Sequence, residues 1–163
     1  MDYIYIGEIV NTHGLKGEVR IISNFKFKNS VFKKGIKLYI GKSKHQEIIN
    51  SYRVHKNYDM VTFENKKHIE DVLSLKGETV YALRDEIEYD GYLNEDLINM
   101  EVYCQDKYIG RVTNILKTNA HEILVIENTK KHMVPNIDEF ILNVSLKNNR
   151  MDIKYMKGLI DED

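Results

Sequence analysis

The sequence predicts a mainly β protein made of two small β-barrels in tandem. Short segments that alternate apolar and polar residues recur along the whole chain at spacings of about ten residues, separated by Gly, Lys, Asn and Asp clusters. The sign of the charge changes once, near residue 84. Residues 1–84 carry 15 Lys+Arg against 9 Asp+Glu, a net of +6, and residues 85–163 carry 9 against 16, a net of −7, which together give the overall −1. Finally, 163 residues suffice for two small domains, each with a thin core.

In chain order, "YIYIGEIV" opens with β-favouring Tyr and Ile, and "GEVRII" sets Glu18 and Arg20 outward against Val19 and Ile21 inward. "IKLYIG", "EIINSYRVHK" and "DMVTFEN" continue the series. A single short helix is expected in "KKHIEDVLSLKGE", with Ile69, Val72, Leu73 and Leu75 on one side and Gly77 as its stop. "TVYALR" closes the first unit. The second unit offers "MEVYC", "YIGRVTNIL", "HEILVIEN", "KHMVPNI", "FILNVSL" and "RMDIKYM" as strands, followed by the tail "KGLIDED". Gly110 marks a bulge or bend, and Pro135, the only proline, belongs at an edge or a strand end. The boundaries that follow are 1–86 for the first domain, 87–91 for an acidic linker and 92–163 for the second domain.

Composition narrows the function. No run approaches the roughly 20 apolar residues of a membrane span, and the N-terminus lacks the layout of a secretion signal. One cysteine, Cys104, cannot make an internal disulfide, so a reducing cytoplasm is the expected location. The six histidines, His13, His45, His55, His68, His121 and His132, lack ligand spacing, so no metal is expected. Cys104 sits among acids, which disfavours a thiolate nucleophile. No catalytic residues, no cofactor and no enzymatic activity are expected.

Three stretches remain as candidate contacts. "VNTHGLKGEVRI" (residues 10–21) leads into a strand, not a helix, so it is neither a P-loop nor a dinucleotide fingerprint. Gly14 and Gly17 suit a turn with positive φ, and Thr12, His13 and Lys16 form a polar tip for phosphate or carbonyl contacts. The segment 85–106 holds eight acids and no Lys or Arg. It reads either as a solvated linker or as a face for a basic partner, with Tyr92 as the better aromatic anchor. In "FKFKN" (residues 25–29), Phe25 and Phe27 read as core residues flanking a turn more readily than as a stacking platform for nucleic acid.

Several of these residues carry a family resemblance. "IGEIVNTHGLKGEVRI" resembles the N-terminal signature of the RimM family of ribosome maturation factors. "IEDVLSLKGETVYALRDE" is similar to that family's helix and domain-closing strand. "YLNEDLINMEVY", "IGRVTNIL", "HEILVI", "MVPNIDEFI" and "KGLID" resemble its C-terminal PRC-barrel, in the same order. The resemblance implies a six-stranded barrel like those of translation factors, then a PRC-barrel. It implies a non-enzymatic chaperone of small-subunit assembly that binds ribosomal protein S nineteen and supports 16S rRNA processing and maturation of the subunit head. A monomer is expected.

Carried over by position, the resemblance implies a ribosome-binding loop at Thr12, His13, Gly14, Leu15, Lys16, Gly17 and Arg20. It implies a ribosomal-protein contact at Tyr92, Leu93, Glu95 and Asp96. The family's Tyr-Tyr pair falls on Tyr92 and Leu93, so its second tyrosine is replaced. The family's Gly after Asp-Leu-Ile is Asn99, and an Asp common after the proline-containing strand is Ser145. The alternative reading is a stand-alone RNA-binding β-barrel protein of translation.

Overall fold

The computed structural model describes residues 1–158, so the expected apolar tail segment at Leu159 and Ile160 and the closing acids lie outside the described residues. The chain divides into two compact units, Met1–Asp90 and Gly91–Asp163.

In the first unit, β1 (Tyr3–His13), β2 (Glu18–Ile22), β3 (Lys37–Ile40), β4 (His45–His55), β5 (Tyr58–Phe63) and β6 (Thr79–Leu83) close into a barrel in the order β1-β2-β5-β4-β3-β6. Every pair is antiparallel. The long strand β1 makes closure possible. Register shifts between Tyr5 and Gly7 and between Ile9 and Asn11 bend it, so one end pairs with β6 and the other with β2. Its Ile4, Ile6 and Ile9 point into the core with Val19, Ile21, Leu38, Ile40, Ile49, Val61, Phe63, Val80 and Ala82. The alternation read in "GEVRII" holds, with Val19 and Ile21 fully buried.

The expected helix is replaced by tighter turns. Residues 69–75 form two single 3-10 turns, Ile69–Asp71 and Leu73–Leu75, and Gly77 follows with φ 86°. Residues three apart eclipse in a 3-10 turn, so Ile69, Val72 and Leu75 face inward while Leu73 is 52 % exposed. The backbone here is committed elsewhere: the Ile69 amide donates to the Leu15 carbonyl (2.9 Å) and the Gly77 amide to the Ile9 carbonyl (2.7 Å). A short helix that the pattern did not announce, α1 (Lys28–Val31), follows β2. Phe25 and Phe27 lie half-buried in the turn before it, and Phe27 stacks on Tyr89 at 4.6 Å. Lys28 reaches back to the buried Asp59 (2.8 Å), which also accepts from the Tyr52 hydroxyl (2.6 Å).

The second unit begins with α2 (Asn94–Leu97), then β7 (Glu101–Cys104), β8 (Lys107–Lys117), β9 (Glu122–Glu127), β10 (Lys131–Pro135), β11 (Ile141–Ser145) and β12 (Arg150–Ile153). These strands make one sheet in the order β10-β9-β8-β7-β12-β11, antiparallel except where β12 runs parallel to β7. Its core gathers Leu97, Met100, Val102, Val112, Leu124, Ile126, Val134, Phe140, Met151 and Ile153. Gly110 sits beside a register shift with φ 145°, and a Cβ there would lie 2.6 Å from the Glu127 carbonyl, so the bulge requires glycine. Pro135 ends β10, a strand at the end of the sheet. Cys104 is buried. Asn99 has φ 70°, a conformation Asn tolerates better than most residues, so it stands where the resemblance places Gly without changing the backbone.

Candidate functional site

The β1–β2 loop is a turn over residues 14–17 with Gly14 at φ 67° and Gly17 at φ 85°. The two glycines serve different ends. Around Gly14 there is open space, whereas a Cβ on Gly17 would lie 2.3 Å from the Lys66 carbonyl. Gly17 therefore lets the loop press its backbone against the 66–69 segment, where the Ile69–Leu15 hydrogen bond also holds it. Between these anchors Leu15, 77 % exposed, and Lys16 project outward, while Thr12 stays half-buried.

The loop residues then separate into two groups. Lys16 joins Lys34, Lys66 and Lys67 around a shallow recess also lined by Asn50, Thr62, Phe63, Glu64 and Asn65. Lys66 lies 3.8 Å from Glu47, and Lys16, Lys34 and Lys67 have no ion-pair partner among the described residues. His13 instead meets Arg20, whose guanidinium donates to its Nδ1 at 2.7 Å. The β4–β5 hairpin completes this second group. His55 lies 5.6 Å from His13, ring to ring, and the Arg20 guanidinium sits 5.5 Å from the Tyr58 ring centroid. Lys56, in the tight hairpin turn, has φ 56°.

Electrostatics explain what this second group lacks. Partial desolvation, then the charges of Arg53, Lys56, His13 and Arg20, hold the His55 imidazole below its usual range. The one carboxylate in the group, Glu18, is engaged by Arg53 through two hydrogen bonds (2.9 and 2.7 Å), and that bonding holds it below the usual carboxylate range. The buried Arg20 Nε has no hydrogen-bond partner. Arg20, Arg53 and Lys56 bring positive charge to one place beside two imidazoles, which suits an anion with several oxygens, such as a phosphodiester. The loop motif supplied His13 and Arg20. Arg53, His55, Lys56 and Tyr58 were missed, because "RVHKNY" shows its value only once β5 pairs with β2 (Arg20 opposite Met60) and β4 with β5 (His55 opposite Tyr58).

In the second unit, Tyr92, Leu93, Glu95 and Asp96 surround the start of α2. Glu95 is exposed, and Asp96 accepts from the Leu93 amide (3.2 Å), capping the turn. Leu93 is only 5 % exposed, so its side chain offers little to a partner's surface. Tyr92 is half-buried against the unit's core, and its hydroxyl lies 3.4 Å from the Val144 carbonyl. The acidic run does not act as one strip. Glu86 accepts from Tyr39 (2.6 Å) and pairs with Lys37 (3.5 Å), Glu101 lies 3.7 Å from Arg111, and Asp106 lies 3.2 Å from Arg150. Among the described residues no three His, Cys, Asp or Glu side chains gather as metal ligands, and no helix is long and apolar enough to cross a membrane.

A closed six-stranded barrel with a basic loop-and-hairpin end, followed in the same chain by a six-stranded sheet, defines a two-module β protein. Residues 4–87 match the RimM N-terminal domain and residues 94–159 the RimM PRC barrel domain. The chain is 36 % identical over 165 residues to the ribosome maturation factor RimM of Staphylococcus haemolyticus, covering 97 % of this chain and 99 % of that protein. It is 37 % identical over 167 residues to the factor of the same name from Staphylococcus saprophyticus, with the same coverage. The solution structure of the N-terminal domain of RimM from Thermus thermophilus aligns over 55 % of this chain and 98 % of that one, at 17 % identity and a TM-score of 0.47. The chain belongs to the RimM family of ribosome maturation factors.

Proposed function

We propose that this protein assists maturation of the small ribosomal subunit without catalysis, its first unit holding 16S rRNA phosphates and its second holding ribosomal protein S nineteen at the forming head. Arg20, with His13, His55 and Lys56 around it, is the observation that carries the RNA part. Guanidinium and ammonium groups position a phosphate backbone without reading its sequence, so the protein contact of the second unit supplies the address. There the exposed Glu95 beside α2 suits a basic partner. The domain limits that serve this division are 1–86 and 92–163, with 87–91 between.

Cosedimentation of the purified protein with small subunits at graded salt tests the reading. Arg20→Gln and Lys16→Glu should each weaken binding and lower its salt dependence, while a salt-independent association unchanged in both variants would remove the first unit from the contact. Binding to RNA in the absence of any ribosomal protein, as tight as to the subunit, would favour the stand-alone RNA-binding alternative.

A further inference from the structure

Far along β1 from the loop, the barrel carries a surface that the family signature does not touch. Tyr5 pairs directly with Tyr81 on β6, and Tyr81 pairs with Tyr39 on β3. Residues directly opposite on neighbouring strands share a face, so three tyrosines form a row across three strands, and Tyr3, two residues before Tyr5, joins them. The rings brace one another edge to face: Tyr3 on Tyr39 at 5.5 Å, Tyr3 on Tyr81 at 6.2 Å and Tyr5 on Tyr81 at 6.3 Å. Tyr39 is buried beneath this arrangement, yet Tyr5 remains 60 % exposed.

A cation accompanies the row. Lys44 ends the β3–β4 turn with φ 55°, and its Nζ lies 4.3 Å from the Tyr81 ring centroid and 5.4 Å from that of Tyr3. It has no carboxylate partner among the described residues. Lys42 is exposed in the same turn. Of the nearby carboxylates, Glu86 is already taken up by the Tyr39 hydroxyl and Lys37, Glu78 lies against Gly41 in the same turn, and Glu8 is opposite Thr79 along β6; none pairs with Lys44 among the described residues. A rigid, half-open aromatic surface edged by free lysines matches a base with its phosphate better than an apolar peptide, which the lysines would not favour.

We propose that the tyrosine row is a stacking platform for an unpaired base of single-stranded RNA, with Tyr5 taking the base and Lys44 the adjoining phosphate. Tyr5 and His13 stand eight positions apart on β1, roughly 25 Å along the strand, so this site is distinct from the phosphate site at the loop. The proposal rests on the reading that the first unit meets rRNA, and it specifies that the RNA there is unpaired. The arrangement was hidden in the sequence because the aromatics come from β1, β3 and β6, and no one strand interleaves them with lysines.

The test is fluorescence anisotropy with a labelled seven-nucleotide oligoadenylate, a duplex of the same length, and an abasic strand as competitor. The oligoadenylate should bind the wild-type protein, and Tyr5→Phe should bind equally. Tyr5→Ala and Tyr5→Leu should each weaken binding about tenfold, since stacking needs a ring and not merely apolar area. Lys44→Ala should lower the salt slope, which Tyr5→Ala leaves unchanged. Tyr5 is exposed, so thermal melting should show all four proteins folded. Equal binding by Tyr5→Leu, or duplex and abasic strands binding as well as the oligoadenylate, would overturn the platform. So would a Tyr5→Ala variant that loses a ribosomal protein and keeps the RNA. Cosedimentation with small subunits separates the two ideas: subunit binding by a wild type that ignores the oligoadenylate sinks the platform alone, and the reverse sinks the broader reading.

Discussion

At the scale of single residues, two glycines with nearly the same backbone make opposite predictions. Gly14 and Gly17 both have positive φ, but only Gly17 has a carbonyl 2.3 Å from where a Cβ would stand. Gly14→Ala should therefore lose only the left-handed preference, about 1 kcal/mol, in a urea titration. Gly17→Ala must also push the Lys66 segment away and should lose more, about 2–3 kcal/mol. Lys16→Glu, at an exposed tip, should change stability by less than about 0.5 kcal/mol while weakening small-subunit binding. His55 adds a pH dependence. Its lowered pKa means the free protein binds fewer protons there than the unfolded chain, so this group's share of stability falls as pH drops below about 6.5. A phosphate beside it reverses the preference and favours the imidazolium. Small-subunit binding should thus tighten between about pH 7.5 and pH 6, and His55→Gln should flatten that profile in cosedimentation.

At the scale of elements, strands were far more legible than helices. Twelve strand segments were readable because most bury at least one face of a pleat, and period two survives in a short stretch, as Val19 and Ile21 show. The 69–75 segment misled because four apolar residues fit a helical face, while the backbone was engaged with Leu15 and Ile9 and tightened into 3-10 turns. The site was legible only where its residues are neighbours in sequence. His13 and Arg20 lie in one motif, but His55 and Lys56 join them through pairing across β2, β5 and β4, which no local pattern announces. The α2 turn carries its own prediction. Asp96 caps the Leu93 amide, so reversing it would confuse charge with a lost cap. Glu95→Lys leaves the cap intact. It should slow association with purified ribosomal protein S nineteen and flatten its salt dependence, as read from binding kinetics. Unchanged kinetics would leave the acids as solvated surface.

For the whole molecule, the sign of the charge differs between the two units, a net of +2 over residues 1–90 and −3 over residues 91–163, because Asp85, Glu86, Glu88 and Asp90 belong to the first. Salt should therefore weaken contacts of both units with their partners, the RNA contact more steeply because released counterions add to screening. Each unit has its own set of buried residues, Ile4 through Ala82 in one and Leu97 through Ile153 in the other, so each should fold alone. Fragments 1–90 and 91–163, expressed separately, should both give dispersed amide spectra.

The parallel pairing of β12 with β7 sets a timetable for synthesis. β7 needs residues 150–153 beside it, and Met151 of that strand lies in the same core as Val102 of β7. The first barrel closes when β6 at Thr79–Leu83 reaches β1, so it can be finished while the second unit is still being made. The second unit gains its parallel ladder only when β12, the last of its described strands, has left the exit tunnel. A chain stalled or cut after residue 149 should thus carry a closed first barrel joined to an unfolded, protease-sensitive half, which limited proteolysis of the fragment 1–149 would read. A cell that starves in mid-translation would hold nascent chains whose first unit is folded and whose second is not.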